Sequence, residues 1–319
     1  MKLRLKSVIK TGDVDFAEVL RHSAFAFIIL IAATGIQFTF DLLLAQRFGA
    51  HGYGVFYLGF SLLMTLALIG RLGLDRAVIR FMPDLIRQKQ THLARGLTNT
   101  AVRLSLYFTI PVSIILFIGS DFLANNVFNV PELNNYLKTF AFAIPPFSLS
   151  YIYSGVLRGL KHTTSSLFLE RISIYAIGII AILTSSVLYG LEGVVIGFTF
   201  ACFIAAILGS ILVRRHLTSP HQAQPFNKSR LLMVAGPLLF VTFATQMNGQ
   251  ASVLLLGIFS SASDVGIFNI ALKISMLMSL ILAAITVITA TKISELYHAK
   301  KYKELSTKPG ISGLFHIRK

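Results

Sequence analysis

Apolar residues gather along this chain in eight stretches of about 20, at roughly 22–45, 55–75, 101–120, 136–158, 167–189, 191–213, 231–258 and 265–290. An α-helix of that length crosses a hydrocarbon core about 30 Å thick. Continuous apolar runs of this kind satisfy their backbone polar groups in lipid only as helices. The pattern therefore predicts an all-α membrane protein, a polytopic bundle of about eight transmembrane helices. The first stretch is too long for a signal-peptide core and is followed by Asp41 and Arg47 rather than a cleavage site, so it is expected to be retained.

Composition agrees, with 55% hydrophobic and 13% charged residues against about 25% charged in soluble domains. Charge then sets the orientation. Of the 29 basic residues, all but Arg47, Lys138 and Lys273 fall before the first stretch, after the last, or in or within a few residues of every second connection. By the positive-inside rule both termini are cytoplasmic and the number of crossings is even. This distribution also accounts for the net charge of +16 without a nucleic-acid partner, and it places basic side chains beside anionic headgroups. The single cysteine, Cys202, lies within an apolar stretch and reads as a small buried hydrophobe.

A faint internal repeat appears when the chain is slid by 212 residues without a gap. LLLAQRFGAHGYGVFYLGFSLLMTLALI then falls on LLLGIFSSASDVGIFNIALKISMLMSLI, pairing Ala50 with Ala262, Gly54 with Gly266 and Phe56 with Phe268. The offset carries helices one and two onto seven and eight, which predicts a six-helix unit and two halves of equal orientation. The expected domains are residues 1–219, a first six-helix bundle, and 220–319, a partial second bundle of two helices and a cytoplasmic tail. Their linker is HLTSPHQAQPFNKSR at 216–230, broken by Pro220 and Pro225. The same shift would start a ninth helix near residue 313, whereas the sequence there reads STKPGISGLFHIRK. The expectation is a truncated form that inserts but does not transport alone.

No GxxxxGK[ST], HExxH or Cys/His metal spacing occurs, and no extracellular connection has room for a catalytic domain. The chain is expected not to be an enzyme and to need no cofactor or metal. Pro145 and Pro146, inside the fourth stretch, read either as a hinge or as a packing kink. The chemistry left is polar chemistry inside the bilayer, which is costly and therefore informative. Thr34, Gln37 and Asp41 share one helix face; Thr242, Thr245, Gln246 and Gln250 form a similar stripe; and Asn269 and Lys273 lie one turn apart. A cation as deep as Lys273 costs about 2.5 to 3.5 kcal/mol on the mildest scales. It needs water, a ligand or a carboxylate beside it, or else snorkels to the interface or pairs with Asp41. Arg47 sits at the outer end of the first helix. Arg71, Asp75 and Arg76 are read as topology determinants.

The segment DLLLAQRFGAHGYGVFYLGFSLLMTLALIGRLGLDRAVIRFMPDLI resembles the start of polysaccharide exporters and lipid-linked oligosaccharide (O-antigen type) flippases of the multidrug/oligosaccharidyl-lipid/polysaccharide (MOP) exporter superfamily. SGVLRGLKHT, DVGIFNIALKIS and TKISELYHAKKYKEL are similar to the same family. The resemblance implies a MATE-like architecture of two bundles around a cavity, with the second bundle incomplete here. It also implies a flippase in the inner membrane that passes lipid-linked saccharide to the outer leaflet by alternating access, for surface polysaccharide or lipopolysaccharide synthesis. Lys273 and Arg47 would hold phosphate; Thr34, Gln37, Gln246 and Asn269 would meet sugar hydroxyls; Asp41 is the ion-coupling candidate. Partners implied are the lipid-linked saccharide, membrane lipids and polysaccharide assembly proteins. Family members often carry an acid near the position of Gln250, an amide here. The alternatives are a cation-coupled drug exporter of the same superfamily and an integral-membrane glycosyltransferase or polymerase.

Overall fold

The computed structural model describes residues 3–217 and 223–278, with side chains for 28–184, 189–217 and 223–278. The later half of the eighth predicted stretch, the tail after it and the middle of the linker at 218–222 lie outside the described residues. The chain divides into two compact units, residues 1–269 and 270–319. Among the described residues every regular element is helical.

Helix α1 (Leu3–Arg71) is interrupted at Gly49, whose φ of 66° and ψ of −173° leave the helical region. Its apolar part, Ile28–Arg71, has 44 residues and would measure about 66 Å if straight, twice the hydrocarbon thickness. It is a hairpin instead: the rings of Phe40 and Phe56 lie 5.7 Å apart, although 16 residues of straight helix would separate them by about 24 Å. Each arm is then one crossing. Glycine suits the reversal because a left-handed φ carries no Cβ penalty there. Helix α6 (Ser173–His216) repeats the device at Gly190, φ 58°.

Between them come α2 (Leu74–Arg87), α3 (Thr91–Phe122) with a π turn at Leu123–Val127, α4 (Leu133–Gly159), and α5 (Thr163–Leu167) with a second π turn at Phe168–Ile172. Helix α7 (Lys228–Phe259) and α8 (262–278) follow the linker. Among the described residues six helical stretches are long and apolar enough to span a membrane, the first of them contributing two arms. Their outward residues, Ile118, Met233 and Phe240 among them, are exposed and apolar, as lipid contact requires.

Two boundaries depart from the sequence reading. The second crossing ends at Arg71, not 75, and the supposed basic connection after it contains the amphipathic α2. Leu74, Ala77, Val78, Met82 and Leu85 of α2 are buried while Arg76, Arg80 and Arg87 face out, a helical period too short and too charged to register as a membrane span. Helix α3 starts ten residues before the expected 101, because its polar first turns carry Ala94 and Leu97 into the core.

Helix α4 is the centre of the bundle: 72% of its apolar stretch is buried, against 17% for α7. Its small residues make that possible. A Cβ on Gly155 would stand 2.6 Å from the carbonyl oxygen of Asp75, and one on Gly159 would stand 2.5 Å from the Met82 side chain, so these two glycines seat α2. The prolines do not interrupt α4. Pro145 lacks the N–H that the Ala141 carbonyl would accept four residues back, and the hydroxyl of Ser113 on α3 donates to that carbonyl instead.

Candidate functional site: an arginine-lined cavity

Arg71, the last residue of α1, is 1% exposed. Leu72 and Gly73, both with positive φ (53° and 70°), turn the chain there, and the seating of α2 on α4 then returns Asp75 beside Arg71. Helix α4 contributes Tyr151, Ser154 and Arg158. The π turn presents the consecutive Glu170 and Arg171, and α7 brings Thr242, Thr245 and Gln246. Together these residues line a cavity of about 270 Å³ at the basic end of the bundle.

Its electrostatics are uneven. Arg158 is paired with Glu170, which also accepts from the Ser154 hydroxyl at 2.9 Å, and Arg158 Nε donates to Ser166 Oγ at 2.8 Å. That pair is satisfied. Arg71 is not: its guanidinium lies 4.2 Å over the Tyr151 ring and Nη2 reaches Gln246 Oε1 at 3.4 Å, while buried Nε and Nη1 have no hydrogen-bond partner among the described residues. Asp75 Oδ1, 3.8 Å from Arg71 Nε, is likewise unsatisfied. Leaving ionic donors dry and unbonded costs several kcal/mol, so such a group calls for a ligand or water that completes it. With the half-exposed Arg76 at its rim, four arginines against Asp75 and Glu170 leave the cavity net positive.

The residues singled out in the sequence divide between this cavity and a second cluster. Gln246 lines the cavity. Asp41 is buried and accepts from Tyr57; Tyr53 packs on Tyr57 at 4.6 Å and donates to Asn269 Oδ1 at 3.4 Å. Asp41 and Asn269 are thus joined through two tyrosines. Thr34 donates its hydroxyl to Leu30 of its own helix, Gln37 is half-buried, and Arg47 is exposed beside the Gly49 reversal. Lys273 belongs to the second unit, where it is half-buried on α8. Sequence reasoning assigned Arg71 and Asp75 to topology and passed over Glu170. The signal for Glu170 was present, since it is a carboxylate inside the fifth apolar stretch.

The long apolar helices define a multi-pass membrane protein, and its fold resembles that of the MOP superfamily. It is similar to the inward-facing conformation of a multidrug resistance MATE family transporter of that superfamily, with a TM-score of 0.62 and 15% sequence identity over 86% of this chain. The chain spans 65% of the length of that structure. Residues 19–290 match the family described as polysaccharide biosynthesis protein, and the chain belongs to that family. No curated protein matches it.

Proposed function

We propose that this protein is a transporter, a flippase that moves lipid-linked oligosaccharide or polysaccharide repeat units across the cytoplasmic membrane by alternating access. Its arginine-rich side, with both termini, faces the cytoplasm. The observation that carries the reading is Arg71, buried in the cavity with two unbonded donors. A phosphate joining lipid to sugar is the anion that supplies acceptors to them, and the guanidinium fork suits phosphate geometry. Sugar hydroxyls cross with Gln246, Thr242 and Thr245 as partners, at a site where each unsatisfied polar group would otherwise cost several kcal/mol. Asp41 carries a coupling proton, and Lys273, Arg47, Thr34, Gln37 and Asn269 meet substrate later in the cycle. The protein performs no covalent chemistry.

Export of cationic drugs, the second reading, suits the Asp41 cluster but not a cavity with two uncompensated arginines. The experiment is export of surface polysaccharide in cells lacking their own flippase, using the full-length gene product. Arg71→Gln is expected to abolish export with membrane insertion intact, and Arg71→Lys to lower it about tenfold or more, since lysine loses the fork. Undiminished export by both variants would remove the cavity from the mechanism.

A further inference from the structure

A second polar recess lies on the same side of the bundle, outside the arginine-lined cavity. The linker residues 223–227 run against α2 and α3: a Cβ on Gly96 of α3 would stand 1.6 Å from the Gln224 carbonyl oxygen, and Phe226 is 9% exposed with its ring 5.3 Å from that of Phe81. The strap so formed borders, with α2, an open cleft of about 340 Å³ lined by the exposed Arg80 and Arg230. Its one acid, Asp84, is already paired with Arg87 at 3.1 Å. Arg80 and Arg230 have no such carboxylate among the described residues, so the cleft keeps a surplus of positive charge. Arg230 lies 5.5 Å over the Phe81 ring, and the buried Phe226 packs on Phe81 at a 58° tilt, so both rings already have partners.

The depth of the cleft identifies the ligand. Arg230 is the third residue of α7, a membrane-crossing helix, and α2 follows directly on the end of another. Helix α2 buries one face and presents basic side chains on the other, the habit of a helix lying in the headgroup layer. At that depth phospholipid headgroups are the abundant phosphates.

We propose that the cleft between α2 and the linker strap binds the phosphate headgroup of an anionic phospholipid from the leaflet on the arginine-rich side. The bound headgroup neutralises Arg80 and Arg230 and ties the strap to α2. The site does not depend on what the bundle transports.

The test uses the purified full chain in neutral detergent, titrated separately with dioleoylphosphatidylglycerol, dioleoylphosphatidylcholine and inorganic phosphate, with bound lipid counted by native mass spectrometry and stability followed by thermal unfolding. Phosphatidylglycerol is expected to be retained and to stabilise, and phosphatidylcholine not. The Arg80→Gln/Arg230→Gln variant should bind phosphatidylglycerol about thirtyfold more weakly, from two basic contacts. Removing the same charge at the exposed Arg103 and Arg214 should leave binding unchanged, and Arg80→Lys/Arg230→Lys should keep the preference. Equal loss in both glutamine variants, loss in neither, or loss in the lysine variant would overturn the site. Equal binding of the two lipids would do the same. Stabilisation by inorganic phosphate matching that by phosphatidylglycerol would overturn the lipid as its source.

Discussion

Gly54 on α1 and Gly266 on α8 lie against each other so closely that a Cβ on either would stand within 3.0 and 3.2 Å, respectively, of the other's backbone nitrogen. The contact is reciprocal in a second way: the Cβ of residue 54 would meet the carbonyl oxygen of Ala262 at 1.7 Å, and that of residue 266 would meet the carbonyl oxygen of Ala50 at 2.1 Å. The repeat offset of 212 relates Ala50 to Ala262 and Gly54 to Gly266. Contacts in which i meets j and j meets i are the mark of a twofold relation. Here the two related segments belong to one chain.

Gly54→Ala is accordingly expected to be destabilising, by about 3 kcal/mol or more, because backbone rather than a yielding side chain occupies the space. Gly119→Ala, which meets nothing within 4 Å, should change stability by no more than about 1 kcal/mol. Unfolding of the two variants in detergent by increasing denaturant gives the comparison. Equal midpoints would mean that the crossing at Gly54 is looser than described.

Crossing helices were legible because hydropathy is a property of whole stretches, and one window of apolar residues suffices to see them. Helix α2 was not, since its apolar positions are spaced one per turn among arginines and show as a face only once the period is imposed. The cavity was hidden for a different reason. Arg71 and Arg158 end membrane-crossing helices at the basic side, where orientation alone explains an arginine, and nothing in the sequence says that Gly155 lets α2 fold back and bury Arg71. Gln246 was found because an amide within an apolar run stands out whatever surrounds it.

Tyr151 holds Arg71 by its ring face, so the hydroxyl is expected to be dispensable and the ring not. Tyr151→Phe should export polysaccharide near the native rate. Tyr151→Leu should lower it about fivefold, the loss of a cation–π contact of about 1 kcal/mol. Impairment of both to the same degree would point to the hydroxyl instead.

Ser113 and Pro145 are expected to be energetically coupled. Ser113→Ala should cost about 1 kcal/mol by stranding the Ala141 carbonyl. In a Pro145→Ala background the restored N–H bonds that carbonyl and the cost should fall toward zero. A double-mutant cycle measured by thermal unfolding in detergent reads the coupling, and additive effects would show that the hydroxyl contact contributes nothing.

Asp41 and Lys273 are two further ionisable candidates. Asp41→Asn is expected to lower export, because an amide can neither carry charge through the cycle nor pass on a proton. Lys273→Ala should abolish export while membrane insertion persists. Native export profiles in both variants would leave these residues with packing roles only.

The Leu72–Gly73 junction bears on how this chain tolerates changes of length. Arg71 and Asp75 owe their approach to two left-handed residues, and each added residue would rotate α2 by about 100° and advance it by about 1.5 Å. One codon gained or lost there carries Asp75 away from Arg71 and lifts Met82 off Gly159 at once. Insertions between residues 71 and 75 should therefore be the rarest in natural variants of this chain, although by position alone the segment looks like an ordinary surface loop.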